Sequence, residues 1–388
     1  MNTLELAKKY EEQIVALRRE MHRQPEPAWQ EVKTSAIVRR ELDKLGIPYR
    51  SCGRDIGVLA EIRGSKPGKT VALRADMDAL KVTEITGADF ASENEGYMHA
   101  CGHDGHVSML LGAAMVLNEL KDELAGTVRL LFQPAEEICS GAKAMIEEGA
   151  LEGADACFGI HLMAGVPHGV AMISDGPIMS ASDRFRVDVT GYGGHASQPH
   201  TTVDASLVTA AIVTALQSIV SRETDPLEVG VVSIGRMESG TLFNAIPATG
   251  VLEGSVRAYR EDIRQSIEDA IKRIAESTAA AYRAKAEYSC VQLCKATVNA
   301  PETSSVMRES AAAVLGKENV QPTGRIMVSE DFSEYGMVVP STFAIFGIED
   351  AACGAVYPNH NGRFCFNEEI LPKGAALYAQ TALDFLSK

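Results

Sequence analysis

The sequence lacks a surplus of basic residues: 37 lysines and arginines face 52 aspartates and glutamates, which gives a formal net charge of −15. Non-specific binding to nucleic acid requires a basic surface, so we expect no nucleic-acid partner. The acidic balance does not exclude a small anionic substrate, because one buried arginine can dominate the charge of a pocket.

Long apolar runs are also missing. No stretch approaches the length of a membrane span, and the first five residues lack the basic and then apolar stretches of a signal peptide. The eight cysteines lie at irregular spacing, without the density of a disulfide-stapled secreted domain. We therefore expect a cytoplasmic protein with no membrane partner.

The order of apolar patterns predicts an α/β protein with an insertion. A chain of 388 residues exceeds what one hydrophobic core usually holds. Helical spacing predicts helix through residues 3–45, and strands and helices then alternate, which indicates a mixed sheet covered by helices. Residues 182–293 follow a β-α-β-β-α-β order with half-solvated strands, typical of a ferredoxin-like unit. We predict that this unit interrupts a main domain formed by residues 1–181 and 294–388.

Four short stretches place potential metal ligands at or beside predicted strand ends, where functional groups of open α/β sheets gather. Alone, each has a more ordinary explanation: a core histidine, a solvated helix face or a small buried thiol. Thiolate, imidazole and carboxylate together suit zinc, manganese or cobalt better than calcium or magnesium. The stretches are Cys101-Gly102-His103, Glu136-Glu137, His161 and His360.

The combination, in this order, resembles the metal-dependent aminoacylase and carboxypeptidase superfamily. It is most similar to the branch of hippurate hydrolase, N-acyl-amino-acid deacetylases and auxin–amino-acid conjugate hydrolases. Matching motifs run across nearly the whole chain. They are Leu73-Arg74-Ala75-Asp76-Met77-Asp78-Ala79-Leu80, His99-Ala100-Cys101-Gly102-His103-Asp104-Gly105-His106, Leu131-Phe132-Gln133-Pro134-Ala135-Glu136-Glu137, Gly159-Ile160-His161, Gly193-Gly194-His195-Ala196-Ser197, Phe243-Asn244-Ala245-Ile246-Pro247, Ser329-Glu330-Asp331-Phe332 and His360.

The resemblance implies a catalytic main domain that holds two divalent transition-metal ions, zinc or manganese, or alternatively cobalt or nickel. Glu136 is the implied general base, which takes a proton from water and hands it to the leaving amine. Cys101 is the implied bridge between the two metals. The implied metal ligands are Cys101, His103, Glu137, His161 and His360.

The resemblance also makes residues 182–293 a lid and dimerisation domain, so we expect a homodimer. His195 lies on a glycine-rich turn that, alone, is typical of a hairpin with an exposed histidine. Within the family it is the lid histidine that stabilises the oxyanion, and Asn244 contacts the substrate. Arg257, on a predicted strand, is a candidate for binding the substrate carboxylate.

The implied reaction is hydrolysis of an N-acyl amino acid to a carboxylic acid and an amino acid. A dipeptidase or carboxypeptidase reaction at the same site is one alternative, and a binding protein that has lost catalysis is another. Lys81 departs from the family pattern, which has proline there, and puts the substrate side of the pocket in question. Asp78 could orient a ligand histidine or belong to a structural turn, and Asp76 has no assigned role.

Overall fold

The structure is a computed structural model that describes residues 2–388. The chain divides into two compact units. The first comprises Met1–Ile178, Val298–Gly324 and Glu330–Lys388, and the second comprises Met179–Thr297 and Arg325–Ser329.

The helices and strands are numbered in chain order. The α-helices are α1 (Thr3–Lys9), α2 (Glu11–Arg23), α3 (Val32–Leu45), α4 (His103–Glu119), α5 (Gly141–Glu147), α6 (Ala205–Leu216), α7 (Glu261–Ala281), α8 (Pro301–Leu315), α9 (Ser333–Gly336) and α10 (Ile370–Leu386). The strands are β1 (Tyr49–Cys52), β2 (Gly57–Arg63), β3 (Lys66–Asp76), β4 (Ala125–Gln133), β5 (Ala156–Pro167), β6 (Ala171–Met172), β7 (Gly176–Met179), β8 (Ser182–Thr190), β9 (Gly194–His195), β10 (Gly230–Ser239), β11 (Ala245–Ile246), β12 (Thr249–Ala258), β13 (Lys285–Cys294), β14 (Thr297–Asn299), β15 (Val320–Gln321) and β16 (Ser341–Glu349).

The first unit is built on a mixed eight-stranded sheet in the order β1-β2-β4-β3-β5-β16-β6-β15. Its centre, β4-β3-β5-β16, is parallel. Parallel strands are covered on both faces, and their sequences are correspondingly apolar. In β3 the run from Val71 to Ala75 is buried throughout. The expected mixed α/β fold is confirmed.

Helix α4 carries the central motif into the core. It is buried over most of its length, and it packs against α10. A helix that is apolar on all sides is stable only in such a position. Gly102 caps its amino end with φ of 89°, a left-handed conformation that favours glycine.

The predicted helix over residues 3–45 is interrupted. Helix α2 ends at Arg23, and the chain runs irregularly until α3 begins at Val32. Trp29 has a left-handed φ of 64°. Two X-Pro steps in this stretch, Gln24-Pro25 and Glu26-Pro27, disfavour helix and explain the break.

The second unit is a ferredoxin-like domain, as the sequence predicts. Its antiparallel sheet has the order β10-β12-β8-β13, and its apolar side packs against α6 and α7 in a separate core. The segment 325–329 adds to this unit: Met179 bridges to Ile326, and Ser180 N donates to the carbonyl oxygen of Val328 at 3.0 Å.

One helical stretch, Ala205–Glu223, is 19 residues long with a hydropathy of 1.4, enough by length and composition alone to cross a membrane. A single stretch of this kind is weak support for a membrane span, because core helices of globular proteins meet the same criterion. Here α6, within this stretch, buries Val208 and Ile212 in the core of the second unit.

Candidate metal centre

The side chains with metal-ligand chemistry meet where the central parallel strands end. Cys101 and His103 lie at the amino end of α4, and His161 lies in β5. Glu137 follows β4, and His360 lies in the loop after β16. The carboxyl ends of parallel strands share one edge of a sheet, which brings these distant residues together. All five predicted ligands belong to one cluster.

Two groups of these side chains share the Cys101 thiol. Ligand atoms of Cys101, His103 and His161 lie within 4.8 Å of one another, and so do those of Cys101, Glu137 and His360. Cys101 Sγ is 3.4 Å from His161 Nε2. Glu137 Oε1 is 3.8 Å from His103 Nε2 and 3.7 Å from His360 Nε2. Ligand atoms around one tetrahedral zinc ion lie about 3.3–3.8 Å apart, so the spacing fits two ions that share the thiol.

The unpartnered buried atoms of the cluster and the pKa of its thiol also fit a bound cation. Among residues 2–388, neither His103 Nε2 nor Glu137 Oε1 has a hydrogen-bond partner, although both atoms are buried. A buried polar atom without a partner costs about 1–3 kcal/mol. Burial, and then the charge of Glu137, raise the pKa of the Cys101 thiol well above its usual range. A bound cation would satisfy the orphaned atoms and stabilise the thiolate.

Oxygen atoms beside each ring determine which histidine nitrogen faces the cluster. His161 Nδ1 is 2.9 Å from the carbonyl oxygen of Leu162, which can only accept, so the neutral ring keeps its lone pair on Nε2 beside Cys101. Asp78 Oδ1 lies 3.4 Å from His103 Nδ1, and this leaves Nε2 facing Glu137. Contacts of this kind orient metal-binding histidines.

His106, which is not among the predicted ligands, supports the cluster from behind. Its Nδ1 lies 2.5 Å from Asp76 Oδ1, and its Nε2 accepts from the backbone N–H of Leu162 at 2.8 Å. Because Nε2 accepts, the ring proton lies on Nδ1 and is donated to Asp76. His106 thus fixes β5 at the residue next to His161.

The two adjacent glutamates lie in a tight turn after β4, the Glu136 loop (residues 134–141). The backbone N–H groups of Glu136 and Glu137 each donate to one oxygen of Asp78, both at 3.0 Å. One buried carboxylate therefore holds both residues. Their carboxylates both lie beside His103, but their other neighbours differ: Glu137 is grouped with Cys101 and His360, whereas Glu136 is grouped with Glu330 and Asp331.

Glu136 is crowded by acidic neighbours. Carboxylate oxygens of Glu136, Glu330 and Asp331 lie within 4.8 Å of one another, and all three side chains are buried. Burial, and then the charges of Glu330 and Glu137, raise the pKa of Glu136 well above its usual range. A carboxylate in such surroundings takes up a proton readily, as a general base and acid must.

Arg74 offsets this negative charge. Its Nη1 donates to Asp76 at 2.7 Å, its Nη2 to Glu330 and Asp331 at 2.9 Å each, and its Nε to Gln133 Oε1 at 2.8 Å. The guanidinium is almost completely buried, and such a charge is tolerable only when it is fully paired. The sequence feature that could have identified Arg74 is the presence of an arginine within an otherwise apolar predicted strand.

Asn359 also lies outside the predicted site. Its Nδ2 donates to the carbonyl oxygens of Cys101 at 3.3 Å and Leu162 at 3.1 Å, and its Oδ1 accepts from Ala164 N at 3.0 Å. These bonds tie the loop that carries His360 to β5 and to the start of α4. Only its position beside His360 could have pointed to it.

The second unit carries the remaining predicted site residues. Its two-stranded ribbon pairs His195 with Ala245, and Ala196 N donates to the carbonyl oxygen of Asn244 at 3.1 Å. The ribbon therefore brings His195 and Asn244 together, and both are exposed. Ser197 N donates to His195 Nδ1 at 3.1 Å, so the neutral ring carries its proton on Nε2.

Arg257 lies in β12 and is half-buried, which lowers the pKa of its guanidinium. Its Nη1 donates to Ser329 Oγ at 3.1 Å. Within the described residues it forms no ion pair, so most of its donors remain available.

Residues 72–384 match the model of the peptidase family M20/M25/M40. A thermostable carboxypeptidase from Saccharolobus solfataricus is 40% identical over 97% of this chain and 96% of its own. An IAA-amino acid hydrolase from Arabidopsis thaliana is 39% identical over 99% of this chain and 88% of its own. An N-acetylcysteine deacetylase from Bacillus subtilis is 37% identical over 97% of each.

A solved structure shows the same architecture. It is a dinuclear metal-binding peptidase of the M20 family from Bacillus subtilis, 33% identical to this chain. The two superimpose with a TM-score of 0.87 over 98% of this chain and 99% of the other.

Proposed function

Because this chain belongs to the peptidase family M20/M25/M40, we propose that it hydrolyses N-acyl amino acids with the help of two divalent metal ions. The observation that carries the proposal is the Cys101 thiol, shared by two groups of ligand-type side chains beside the paired Glu136 and Glu137. The products are a carboxylic acid and an amino acid.

The metal ions are zinc or manganese, with cobalt or nickel as alternatives. Bound metals would lower the pKa of a shared water and polarise the scissile carbonyl. The mixed sulfur, nitrogen and oxygen donors suit these ions and not calcium or magnesium. The residues that would hold them are Cys101, His103, Glu137, His161 and His360.

Glu136 moves the proton. It accepts one from the attacking water and delivers it to the nitrogen of the leaving amino acid, because amine departure requires protonation. Its carboxylate lies beside the ligands His103 and Glu137 and also beside Glu330 and Asp331, within reach of a water held at the cluster. Glu137, with its carboxylate between His103 and His360, is committed to the metal.

His195 donates to the oxyanion of the transition state. The hydrogen bond from Ser197 N places the ring proton on Nε2, where it can be donated. On the same ribbon, Asn244 contacts the substrate. Arg257 binds the substrate carboxylate through its unpaired guanidinium donors.

The enzyme is a homodimer that associates through the second unit. Its edge strand β10 exposes Met237, and the turn before β11 exposes Leu242 and Phe243, the latter completely. Exposed apolar side chains grouped near a free strand edge are typical of an interface. Sedimentation equilibrium of the wild type and of Phe243→Asp would test this arrangement.

The reaction itself is tested by elemental analysis together with a substrate panel. The purified enzyme should contain one or two transition-metal ions per chain, lose activity to a chelator, and regain it with Mn²⁺ or Zn²⁺. N-acetyl-methionine and hippurate should release free amine faster than dipeptides do. Full activity without metal would overturn the proposal, whereas preference for dipeptides would favour the peptidase alternative suggested by the carboxypeptidase relative.

A further inference from the structure

We propose that Glu31 is a positioning residue, whose carboxylate holds the Glu136 loop in the conformation that places the Glu136 carboxylate beside the ligand cluster. The inference rests on the proposed function, because it takes Glu136 as the base. Glu31 is completely buried, and its Oε1 accepts from Ala135 N at 2.7 Å, across 104 positions of sequence.

Ala135 is the bend of the loop. Its φ is 54°, a left-handed conformation that a residue with a Cβ rarely adopts. Its carbonyl oxygen accepts from Ser140 N at 3.2 Å and from Gly141 N at 3.1 Å, which closes the loop. A Cβ at Gly141 would lie 1.6 Å from the carbonyl oxygen of Pro134, so the turn is as tight as a glycine allows. The hydrogen bond from Ala135 N to Glu31 secures the strained residue.

Two buried carboxylates hold the backbone of the loop. Glu31 takes the N–H of Ala135, and Asp78 takes those of Glu136 and Glu137. Three consecutive peptide N–H groups therefore point at acceptors from outside the loop. Rotation of Ala135 to a relaxed conformation would turn the peptide that leads to Glu136, and the carboxylate of the base would move with it.

The irregular stretch between α2 and α3 supports this role. Pro27 bridges to Ala79, next to Asp78, and Ala79 N donates to the carbonyl oxygen of Glu26 at 2.8 Å. Trp29 Nε1 donates to Ser140 Oγ at 3.0 Å, near the far end of the Glu136 loop. The stretch that interrupts the predicted helix thus contacts both ends of the loop.

A buried carboxylate is costly at this position, so the hydrogen bonds that it accepts must offset the cost. Glu31 Oε2 is buried and has no hydrogen-bond partner among residues 2–388. Burial, and then the negative charge of Asp78, act against ionisation. An apolar side chain would avoid this cost, and what it would lose is the acceptor for backbone N–H groups, that of Ala135 among them.

The test compares Glu31→Leu, which removes the acceptor, with Glu31→Gln, which keeps an oxygen at the same position. With N-acetyl-methionine as substrate, we expect Glu31→Leu to lower kcat by about 100-fold with KM changed less than about threefold. Glu31→Gln should stay within about threefold of wild type. Glu41→Leu, which removes another buried glutamate, controls for general destabilisation. A shift of its urea midpoint without loss of kcat is expected.

A second arm changes the strained residue itself. Glycine adopts positive φ at little cost, so adding Ala135→Gly to Glu31→Leu should recover about tenfold in kcat, while Ala135→Gly alone has little effect. If Glu31→Leu does not fold, Glu31→Asp, whose shorter side chain cannot reach Ala135 N, replaces it. The proposal would be overturned if Glu31→Gln lost as much kcat as Glu31→Leu, or if Glu31→Leu kept the wild-type kcat.

The Glu136→Ala variant separates this idea from the proposed function. If Glu136→Ala is inactive while Glu31→Leu keeps wild-type kcat, only the positioning role fails. If Glu136→Ala retains full activity, the assignment of the base fails instead, whatever the Glu31 variants do.

Discussion

Asp76 Oδ1 lies 2.5 Å from His106 Nδ1 deep beneath the ligand cluster. The contact fixes the ring so that Nε2 accepts from Leu162 N, beside His161. Asp76 is in turn held by Arg74. One chain of hydrogen bonds therefore runs from Arg74 through Asp76 and His106 to the backbone of β5.

Removing the His106 ring should loosen the centre without removing a ligand. We expect His106→Ala to weaken metal binding by about 10–100-fold, the usual effect of losing a partner behind a ligand. Competition with a chromophoric chelator measures this. His168→Ala is the control, since that ring contacts Lys373 and lies outside the cluster. Unchanged metal affinity in His106→Ala would contradict the supporting role.

Substitution of each of the two adjacent glutamates should have a different effect. Glu136→Ala should lower kcat by about 10²–10⁴-fold and retain metal, because it removes proton transfer alone. Glu137→Ala should lose metal, because its carboxylate lies between His103 and His360. Metal analysis and kcat of both variants decide the matter. Two variants with full metal and wild-type turnover would refute the assignment.

The exposed ribbon histidine should affect turnover only. We expect His195→Ala to lower kcat by about 10²–10³-fold, the effect of losing one oxyanion donor, with folding and metal content unchanged. His200→Ala, which removes another exposed histidine of the same unit, should be close to wild type.

Mixing subunits tests whether His195 acts across the dimer. Hybrids of His195→Ala and Glu136→Ala chains should regain part of the activity if one site combines residues from both chains. Hybrids verified by mass that show no gain would place His195 in the site of its own chain.

Arg257 should contribute to substrate binding. A charge-assisted hydrogen bond contributes about 1.5–3 kcal/mol, so Arg257→Ala should raise KM by about 10–100-fold for N-acyl amino acids. N-acyl amino acid amides, which lack the carboxylate, are the matched substrates and should show little change. Equal effects on both substrates would contradict carboxylate recognition.

The pH dependence of stability should report on Glu31. Burial, and then the charge of Asp78, raise the pKa of Glu31 from 4.5 to about 7. Between these values the folded state binds the extra proton, so the free energy of unfolding falls as pH rises, by up to about 3 kcal/mol. Urea unfolding of the metal-free protein should show a smaller decline in Glu31→Gln than in the wild type, because other buried carboxyls with raised pKa, such as Glu136, still contribute.

Glu41 provides a contrast of opposite sign. Burial acts to raise its pKa, but hydrogen bonds from Lys44 and Arg40 outweigh burial and lower it. Its contribution to stability is therefore present above pH 4.5 and lost as pH falls. Glu41→Gln should cost more stability at pH 7 than at pH 4. If the contributions of Glu31 and Glu41 to the free energy of unfolding changed with pH in the same direction, these assignments would be wrong.

The sequence predicts the elements that depend on pattern and the residues that depend on chemical type. Alternation defines the ferredoxin-like unit, and a parallel sheet gathers Cys101, Glu137 and His161 because the ends of its strands share one edge. These features follow from local spacing and from general rules of topology.

Residues that act through distant contacts are not visible in the same way. Glu31 and Asn359 are ordinary polar residues in their own neighbourhoods, and their partners lie 104 and 258 positions away. The break between α2 and α3 was missed because apolar spacing on either side continues the helical period, although Pro25 and Pro27 mark it.

The segment Arg325–Ser329 makes the second unit discontinuous in sequence. A fragment that starts at Met179 and stops at Thr297 would leave out Ile326 and Val328, which pair with its first two residues, and Ser329, the partner of Arg257. To exchange this unit between relatives, both segments, Met179–Thr297 and Arg325–Ser329, must therefore be replaced together. Recombination of residues 179–297 alone would join a domain from one parent to residues 325–329 of the other, and it would pair Arg257 of the first with position 329 of the second.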